Sequence, residues 1–393
     1  MTIKQRFGQM IREYRKTQGL LQRELSDRLN YSQSMVSRLE RGCDFISQST
    51  YEKVLKRIGL AFHIDETHHQ AVEKLIQRFT EAVIELDYKT TEDILNAFSP
   101  YKSNPFFYYD FLVVQLYHFY FSGDDEQTLV TLALLTQKAY MVHPHLRPYL
   151  DMLTFIYQKK ESISVQEEQA LAIPVMPHEG LQIFLHAIND YYDHYHTKAL
   201  NGFLRAMTLF RRYTHERWQA HCEVFINKIL MTDNDYGNLK VRTQALLRKN
   251  KDYLPRDTNS LSFQLAYSLY HLNALEEAYQ ILLGLQGKTF EYEDLVPYMI
   301  DKCCLKLQKQ PTLNSSNHNH TLHVLYQHYE QDEKNPSYYH LIEQVIVPDL
   351  PRRLEINEYL TYAFDLLDYY GNKGNYQKYQ ELSQKMNILY RLI

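Results

Sequence analysis

Helix-breaking residues are scarce in this sequence. It contains only 12 Gly and 12 Pro among 393 residues, whereas apolar residues recur at spacings of three and four, the period of an amphipathic helix. The chain is long enough to bury more than one core, and its length favours two or three domains. We therefore predict a nearly all-α protein built from more than one domain.

Residue combinations that enzymes and metal sites need are also missing. The four cysteines form no CxxC pair, so we expect reduced thiols. No GxxxxGK[ST], GxGxxG, GxSxG or HExxH motif occurs, so there is no signature of phosphate binding, serine hydrolysis or zinc catalysis. The histidine-rich segment at residues 311–323 is otherwise polar, and we interpret it as a solvated loop. We expect no enzyme, no metal and no cofactor.

The sequence also lacks an uninterrupted apolar segment. The most apolar run, FFYYDFLVVQLYHFYF at residues 106–121, is broken by Asp110, Gln115 and His118, which predicts a buried helix rather than a membrane span. The first residues, MTIKQRFGQMIREYR, do not form the apolar core of a signal peptide. We therefore expect a cytoplasmic protein.

Positive charge is concentrated at one end of the chain. Residues 1–66 carry 12 Lys+Arg against 8 Asp+Glu, whereas residues 67–393 carry 31 against 39. A small basic segment ahead of a larger acidic one is typical of a protein whose first domain meets a polyanion.

Residues 1–66 are predicted to form five short helices. Ser32 is placed to N-cap the third helix and Gly42 to end it. Asn30 suits the left-handed position of the turn before that helix. Ser49 and Glu52 have the spacing of a capping box for the helix that follows. Two short helices joined by a turn of three or four residues form a helix-turn-helix.

The segment IREYRKTQGLLQRELSDRLNYSQSMVSRLERG resembles the Xre/Cro-type helix-turn-helix, which usually reads R..R...G.(T/S)Q..LA...G.S.S.(I/V)SR.E.G. The matching residues are Arg12, Arg15, Gly19, Leu20, Gln22, Leu25, Ser32, Ser34, Val36, Ser37, Arg38, Glu40, Arg41 and Gly42. Leu21 stands where the family has a capping Thr or Ser, and Asn30 replaces the usual turn Gly. The resemblance implies a DNA-binding domain at residues 1–66.

The helix that begins after Ser32 is the expected recognition helix. Its first turn would enter the major groove, so Gln33 and Ser34 should lie nearest the base edges, with Ser37 one turn further on. Phosphate contacts are expected from four other side chains: Gln22, Arg12, Arg15 and Arg38. The alternative for Arg38, and for Glu40, is an internal role that braces the domain.

From residue 67 onward, amphipathic helices alternate with short polar breaks. The predicted hairpins are 68–87 with 89–98, 105–121 with 124–141, 146–158 with 166–172, 179–195 with 197–213, 215–232 with 236–250, and 258–272 with 275–286, followed by helices at 291–308, 320–331, 336–346, 352–371 and 374–391. The stretch FQLAYSLYHLNALEEAYQILLGL is close to a tetratricopeptide unit with its turn at Asn273. We predict a right-handed superhelix of degenerate tetratricopeptide-like hairpins over residues 67–393.

A helix-turn-helix followed by such repeats resembles the RRNPP regulators (Rgg, Rap, NprR, PlcR and PrgX), intracellular receptors for short signalling peptides. The resemblance implies a homodimeric, quorum-sensing transcription regulator that binds a near-palindromic operator and a peptide in the groove of residues 67–393. Much of the dimer interface is expected in the last helices, from residue 352 onward. Two alternatives stay open: a Rap-like protein that sequesters another protein, and a phage-type repressor without a small effector.

Candidate peptide contacts follow from a spacing of 38 residues, about one repeat, between Asn189 and Asn227. An Asn amide can donate and accept hydrogen bonds at once, which suits a peptide backbone. Nearby Tyr191, Tyr192 and Tyr267 would then form side-chain pockets. The alternative is that both Asn residues satisfy turns or make bonds between helices within the stack.

Overall fold

The computed structural model describes residues 2–60, 66–162, 171–193, 195–249, 253–290, 292–293, 295–309, 339–340, 342–346 and 356–390. Over these residues the fold is all-α and contains no strand. None of the described helices combines the length and apolar character needed to cross a membrane. The chain divides into two compact units, Met1–Phe121 with Asp125–Thr154, and Ser122–Asp124 with Phe155–Ile393.

The first unit begins with four helices of 8 to 15 residues and continues with helices of 11 to 20 residues. Its described helices are α1 (Ile3–Thr17), α2 (Gln22–Leu29), α3 (Gln33–Glu40), α4 (Gln48–Arg57), α5 (Glu66–Glu85), α6 (Tyr88–Phe98), α7 (Tyr108–Ser122), α8 (Asp125–Gln137) and the first half of α9 (Arg147–Ser162), with 3₁₀ turns at Ser99–Tyr101 and Ala139–Met141. Contacts join α1 to α3 and α4, and α5 to α6. The predicted boundary at residues 66 and 67 follows directly on residues 61–65, which are outside the described part, and it stays a prediction.

The second unit contains three successive helical hairpins. Its described helices are α10 (Glu179–Tyr192), α11 (His196–Arg212), α12 (Glu216–Thr232), α13 (Tyr236–Arg248), α14 (Pro255–His271), α15 (Leu275–Leu283), α16 (Leu295–Lys306), α17 (Ile356–Asn372) and α18 (Tyr376–Tyr390), with a π turn at Ile342–Ile346. Most of these bounds lie within four residues of the predicted ones. The predicted helix at 166–172 is wrong at its end, because residues 171 and 172 are not helical, and residues 166–170 lie outside the described part. The predicted helix at 320–331 also lies outside it.

The turns of the second unit share one geometry. The middle residue is left-handed at Thr214 (φ 61°), Asn234 (φ 58°) and Asn273 (φ 62°). In each turn the next residue donates its N–H to a carbonyl five positions earlier, with N···O distances of 2.8–3.0 Å, which satisfies carbonyls left free at the helix end. The predicted turn at Asn273 is confirmed. Since Asn234 and Asn273 each close the first helix of a hairpin, the recurring turn supports a repeat of about forty residues.

Buried polar pairs join neighbouring helices of the second unit. Glu223 of α12 accepts both Nε and Nη2 of Arg242 in α13, at 3.0 and 2.7 Å to its two oxygens. His221 Nδ1 of α12 lies 2.9 Å from Asp257 of α14. Every residue of α12 from Ala220 to Met231 is buried. Helix α12 is therefore an internal element of the stack.

In the first unit, α1 carries a buried arginine. Arg6 is 2% exposed, and its guanidinium carbon lies 5.4 Å from the ring centroids of both Phe106 and Phe107. Its Nη1 donates to the Phe106 carbonyl at 3.0 Å and forms an ion pair with Asp110 of α7, which is fully buried. The two charges compensate each other in a site that excludes water, as a buried pair must.

The same carboxylate continues into a polar network. The other oxygen of Asp110 accepts the backbone N–H of His143 at 2.8 Å, and His143 Nε2 lies 3.0 Å from Glu73 of α5. Burial lowers the pKa of His143. Burial alone raises the pKa of Glu73, but the hydrogen bond and charge of His143, together with the charge of Arg6, lower it to about 2. Glu73 is therefore ionised at neutral pH.

Helices α1 and α3 approach each other at two glycines. A Cβ on Gly8 would lie 2.5 Å from the Leu39 carbonyl oxygen and 2.8 Å from the Gly42 nitrogen. A Cβ on Gly42 would lie 2.4 Å from the Gln5 Cα, and Gly42 has φ 70°. Backbone atoms cannot move aside as a flexible side chain can, so only glycine fits these positions. These contacts fix where α3 sits on α1.

We expect Gly8→Ala to destabilise residues 2–60 by roughly 1–3 kcal/mol, because the added methyl must separate α1 from α3. Faster amide hydrogen exchange in peptides from this segment measures the effect. The matched control is Gly237→Ala in α13, where a Cβ meets no atom within 4 Å and helix propensity favours Ala. Unchanged exchange in residues 2–60 of the Gly8→Ala protein would show that the close approach is not needed.

Candidate DNA-binding surface

Local sequence places α3 with its first turn exposed. Asn30 adopts the left-handed conformation (φ 53°) that was predicted for it. Ser32 is the N-cap of α3, as predicted, and its Oγ accepts the Met35 N–H at 3.2 Å. Val36 and Leu39 are buried, whereas Gln33 and Ser34 are exposed. The helix therefore presents a polar first turn to solvent while its apolar side packs inside the domain.

The other DNA contacts predicted on α3, Ser37 for a base edge and Arg38 for a phosphate, lie further along the helix. Ser37 is half-buried, and Arg38 is exposed with its guanidinium carbon 5.5 Å from the ring centroid of Phe45, an exposed residue in the segment after α3. Tyr51 of α4 holds that segment, because its hydroxyl donates to the Cys43 carbonyl at 3.4 Å. Burial, with the nearby charges of Cys43 and Asp44, raises the pKa of Tyr51 to about 12. The phenol is therefore neutral and remains a donor.

Glu40, the last residue of α3, binds two of the expected phosphate contacts. Its carboxylate accepts Nε and Nη2 of Arg15, the latter at 3.2 Å, and Nε2 of Gln22 at 2.8 Å. Arg15 Nη1 donates to the Leu20 carbonyl at 2.9 Å. Arg15 and Gln22 therefore hold α1 and α2 against α3, and phosphate contacts by these two residues stay a prediction. Of the two residues considered as internal braces, Glu40 has that role.

Arg12 lies on a different face of α1. It is exposed, but its guanidinium carbon is 5.9 Å from the ring centroid of Tyr140, and Lys16 Nζ is 4.7 Å from the same ring. Glu13, one residue further along α1, pairs with Lys138. This face of α1 packs on residues 138–140 of the first unit. A phosphate contact by Arg12 stays a prediction.

Two start signals in the DNA-binding segment differ from the expected ones. Helix α4 begins after Ser47, whose Oγ accepts the Thr50 N–H at 3.3 Å; the capping box predicted at Ser49 and Glu52 is wrong by two residues. At α2, Leu21 provides no side-chain cap, but Glu24 Oε2 accepts the Leu21 N–H at 2.7 Å. Half of a capping box therefore persists where the hydroxyl is missing.

In the second unit, most of the expected peptide contacts are inside the stack. Asn227 is 0% exposed, and its Nδ2 donates to Thr243 Oγ1 and Gln264 Oε1, each at 3.1 Å. Tyr192 and Tyr267 are also buried. The assignment of these three residues to an open groove is corrected, because a buried side chain presents no group to a peptide there. The alternative considered for Asn227, a bond between helices, is the one observed.

Asn189 and Tyr191, both in α10, are half-buried. Asn189 Nδ2 donates to Asp193 at 2.7 Å. Aligning α10 and α12 at their C-terminal ends explains why Asn189 is half-buried and Asn227 fully buried. At the end of α10 the Asp193 N–H bonds the Asn189 carbonyl, and at the end of α12 the Asp233 N–H bonds the Ile229 carbonyl, so Asn189 corresponds to Ile229. Asn227 is thus two residues out of register, which is about 200° around the helix.

The comparisons with known proteins match the first of these two sites. The helix-turn-helix family matches residues 11–63, which include α2, the turn and α3. No curated protein and no solved structure matches the chain. The match, together with the exposed first turn of α3, supports a DNA-binding transcription regulator, a class that is typically non-enzymatic.

Two variants should separate a residue that holds the domain together from a residue that contacts DNA: Arg15→Ala tests the first role and Arg38→Ala the second. Removing Arg15 leaves the buried Glu40 carboxylate with one donor fewer on each oxygen, and we expect a loss of roughly 1–3 kcal/mol in the stability of residues 2–60. Arg38→Ala should leave stability within about 0.5 kcal/mol, weaken binding to all duplexes, and reduce the slope of log K against log salt by about one. Hydrogen exchange and salt-dependent fluorescence anisotropy measure the two effects. Equal stability losses in both variants would contradict this division.

Proposed function

We propose that this chain is a cytoplasmic, homodimeric transcription regulator that reads a near-palindromic operator with α3 and is controlled by a short signalling peptide bound to residues 67–393. The observation that carries the DNA-reading part is the exposed polar first turn of α3 on a family-matched helix-turn-helix. Gln33 and Ser34 contact base edges, Ser37 supports them one turn later, and Arg38 contacts phosphate.

The near-palindromic operator follows from dimer symmetry. A two-fold dimer presents two identical α3 helices, so its half-sites are related by the same two-fold and lie one helical turn, or a multiple of it, apart. The uneven charge of the chain supports the same orientation, because the basic segment 1–66 contains α3 and the acidic remainder would be repelled by phosphates.

Gln33→Ala tests the reading role. Since Gln bonds adenine through two hydrogen bonds, we expect the variant to lose roughly 1–3 kcal/mol of discrimination between the selected operator and a random duplex. Selection from a randomised DNA library followed by binding titrations measures it. Gln77→Ala, on the exposed face of α5, is the control and should leave discrimination unchanged. The reading role of Gln33 would have to be abandoned if specific and random duplexes lost affinity equally.

Peptide control rests on the repeat architecture of the second unit. Three successive hairpins, two of them closed by the same left-handed turn at Asn234 and Asn273, support a stack of tetratricopeptide-like repeats, a fold that forms extended binding surfaces. Asn189 and Tyr191 are the candidates that retain part of their solvent exposure. They lie two residues apart on α10, so their side chains point about 200° apart around the helix and do not face the same groove. The proposed site is therefore centred on Asn189, whose amide would bond a peptide backbone.

The test compares the two asparagines. In calorimetry with synthetic peptides encoded beside the gene, Asn189→Ala should weaken binding by roughly 1–3 kcal/mol and leave folding unchanged, because it removes a group at the surface. Asn227→Ala should instead lower the stability of the second unit by a similar roughly 1–3 kcal/mol, because Gln264 and Thr243 lose a buried partner. Peptide affinity unaffected by Asn189→Ala would move the site elsewhere. Failure of every such peptide to bind would favour a repressor without a small effector.

A further inference from the structure

Helix α8 is apolar on the side that faces solvent. Its buried side consists of Thr128, Thr131, Leu132 and Leu135. On the opposite side Leu129 is 37%, Val130 62% and Leu134 42% exposed, and Ala133 is exposed with them. A helix that is apolar all round is normally covered on both sides. The outer side of α8 therefore has the composition of a contact surface.

The exposed positions of α8 are symmetric about the middle of the helix. If a second α8 lies antiparallel across a two-fold axis between residues 131 and 132, each exposed residue meets an exposed residue of like character at the same level. Val130 is level with Ala133 of the other copy, Leu129 with Leu134, Glu126 with Gln137, and Gln127 with Thr136. The apolar pairs fall in the centre and the polar pairs at the ends, which is the arrangement of an interface core and rim. The large Val130 opposite the small Ala133 also allows close approach.

We propose that the outer face of α8, defined by Glu126, Leu129, Val130, Ala133, Leu134 and Gln137, is an isologous contact with a second copy of this chain. In such a contact residue i meets residue j and j meets i, which is the self-complementarity that α8 has. An unrelated partner would require no such symmetry. Because α8 and α3 belong to the same compact unit, this two-fold relates the two recognition helices of the proposed dimer. The α8 contact itself does not require DNA, but its role in placing two α3 helices on an operator rests on the proposed function.

The contact is small, and this determines how it acts. A helix of 13 residues is about 20 Å long, so a single helix pair buries less than the roughly 1,200–2,000 Å² of a stable interface. The α8 pair therefore forms weakly in solution and is strengthened when two half-sites of one DNA molecule raise the local concentration of the two copies.

The first experiment measures self-association of the full chain by sedimentation equilibrium without DNA. Val130→Glu places one carboxylate from each copy at the centre of the contact, one helical turn from Glu126 of the same copy. We expect the dimer dissociation constant to rise about ten-fold or more. Val241→Glu, at a similarly exposed valine of α13 (66%), should leave it unchanged. Tyr376→Glu tests the last helices. Loss of the dimer with Tyr376→Glu and not with Val130→Glu would overturn the inference.

The second experiment tests the antiparallel register. In a Cys43→Ser background, oxidation of the V130C/A133C protein should give a disulfide-linked dimer, because the two positions are level across the two-fold. The N201C/L204C protein has the same spacing on an exposed face of α11 and should remain monomeric on a non-reducing gel. Equal cross-linking of both proteins, or of neither, would contradict the proposed pairing.

The two experiments use no DNA, so they separate this inference from the proposed function. Cross-linked dimer that binds no duplex specifically would leave the α8 contact standing and remove the operator-reading role. Specific binding to paired half-sites without any effect of Val130→Glu would leave the operator-reading role standing and remove α8.

Discussion

The buried ion pair between Arg6 and Asp110 joins the first helix of the DNA-binding segment to α7. Its two charges are removed from water, so removing either partner would leave an uncompensated buried charge and destabilise the fold. The rings of Phe106 and Phe107 cover the guanidinium, and Asp110 also accepts the His143 N–H. The position of α1 on α7 therefore depends on the Arg6 and Asp110 charges, and these charges are tolerated only because the surrounding groups pack around them. Helix α1 therefore belongs both to the helix-turn-helix and to the packing around α7.

The position and orientation of α3 depend on α1 in two ways. Gly8 and Gly42 allow the backbones of α1 and α3 to touch, which sets the distance between them. Arg15 of α1 and Gln22 of α2 both bind Glu40 at the end of α3, which sets its direction. Helix α3 is therefore held at its C-terminal end, and its N-terminal turn, with Gln33 and Ser34, stays exposed.

Helix ends were predictable where one residue decides them, as at Asn30, Ser32 and Asn273. The start of α4 was not, because Ser47 and Ser49 both have capping side chains, and the N-cap is Ser47. The exposed side chains of α3 followed from periodicity, but the bonds to Glu40 join residues 18 and 25 positions apart and leave no local pattern. The Arg6–Asp110 pair left a signal only at Asp110, a charge within the apolar run 106–121. Arg6 follows Lys4 and Gln5 in a polar segment, and its partner lies 104 positions away.

The register of the repeats limits what the second unit can bind. In α12 the amide of Asn227 joins α13 and α14 through Thr243 and Gln264, and Gln264 returns a bond to the Val224 carbonyl at 3.0 Å. These hydrogen bonds join three helices in one arrangement, and they use the Nδ2 of Asn227 but not its Oδ1. The proposed peptide site therefore lies on the surface of helices such as α10, where polar and aromatic side chains keep part of their exposure. Helices α3 and α8 both belong to the first unit. A peptide bound to the second unit would therefore change operator binding only if the peptide's binding free energy differs between two arrangements of the first unit.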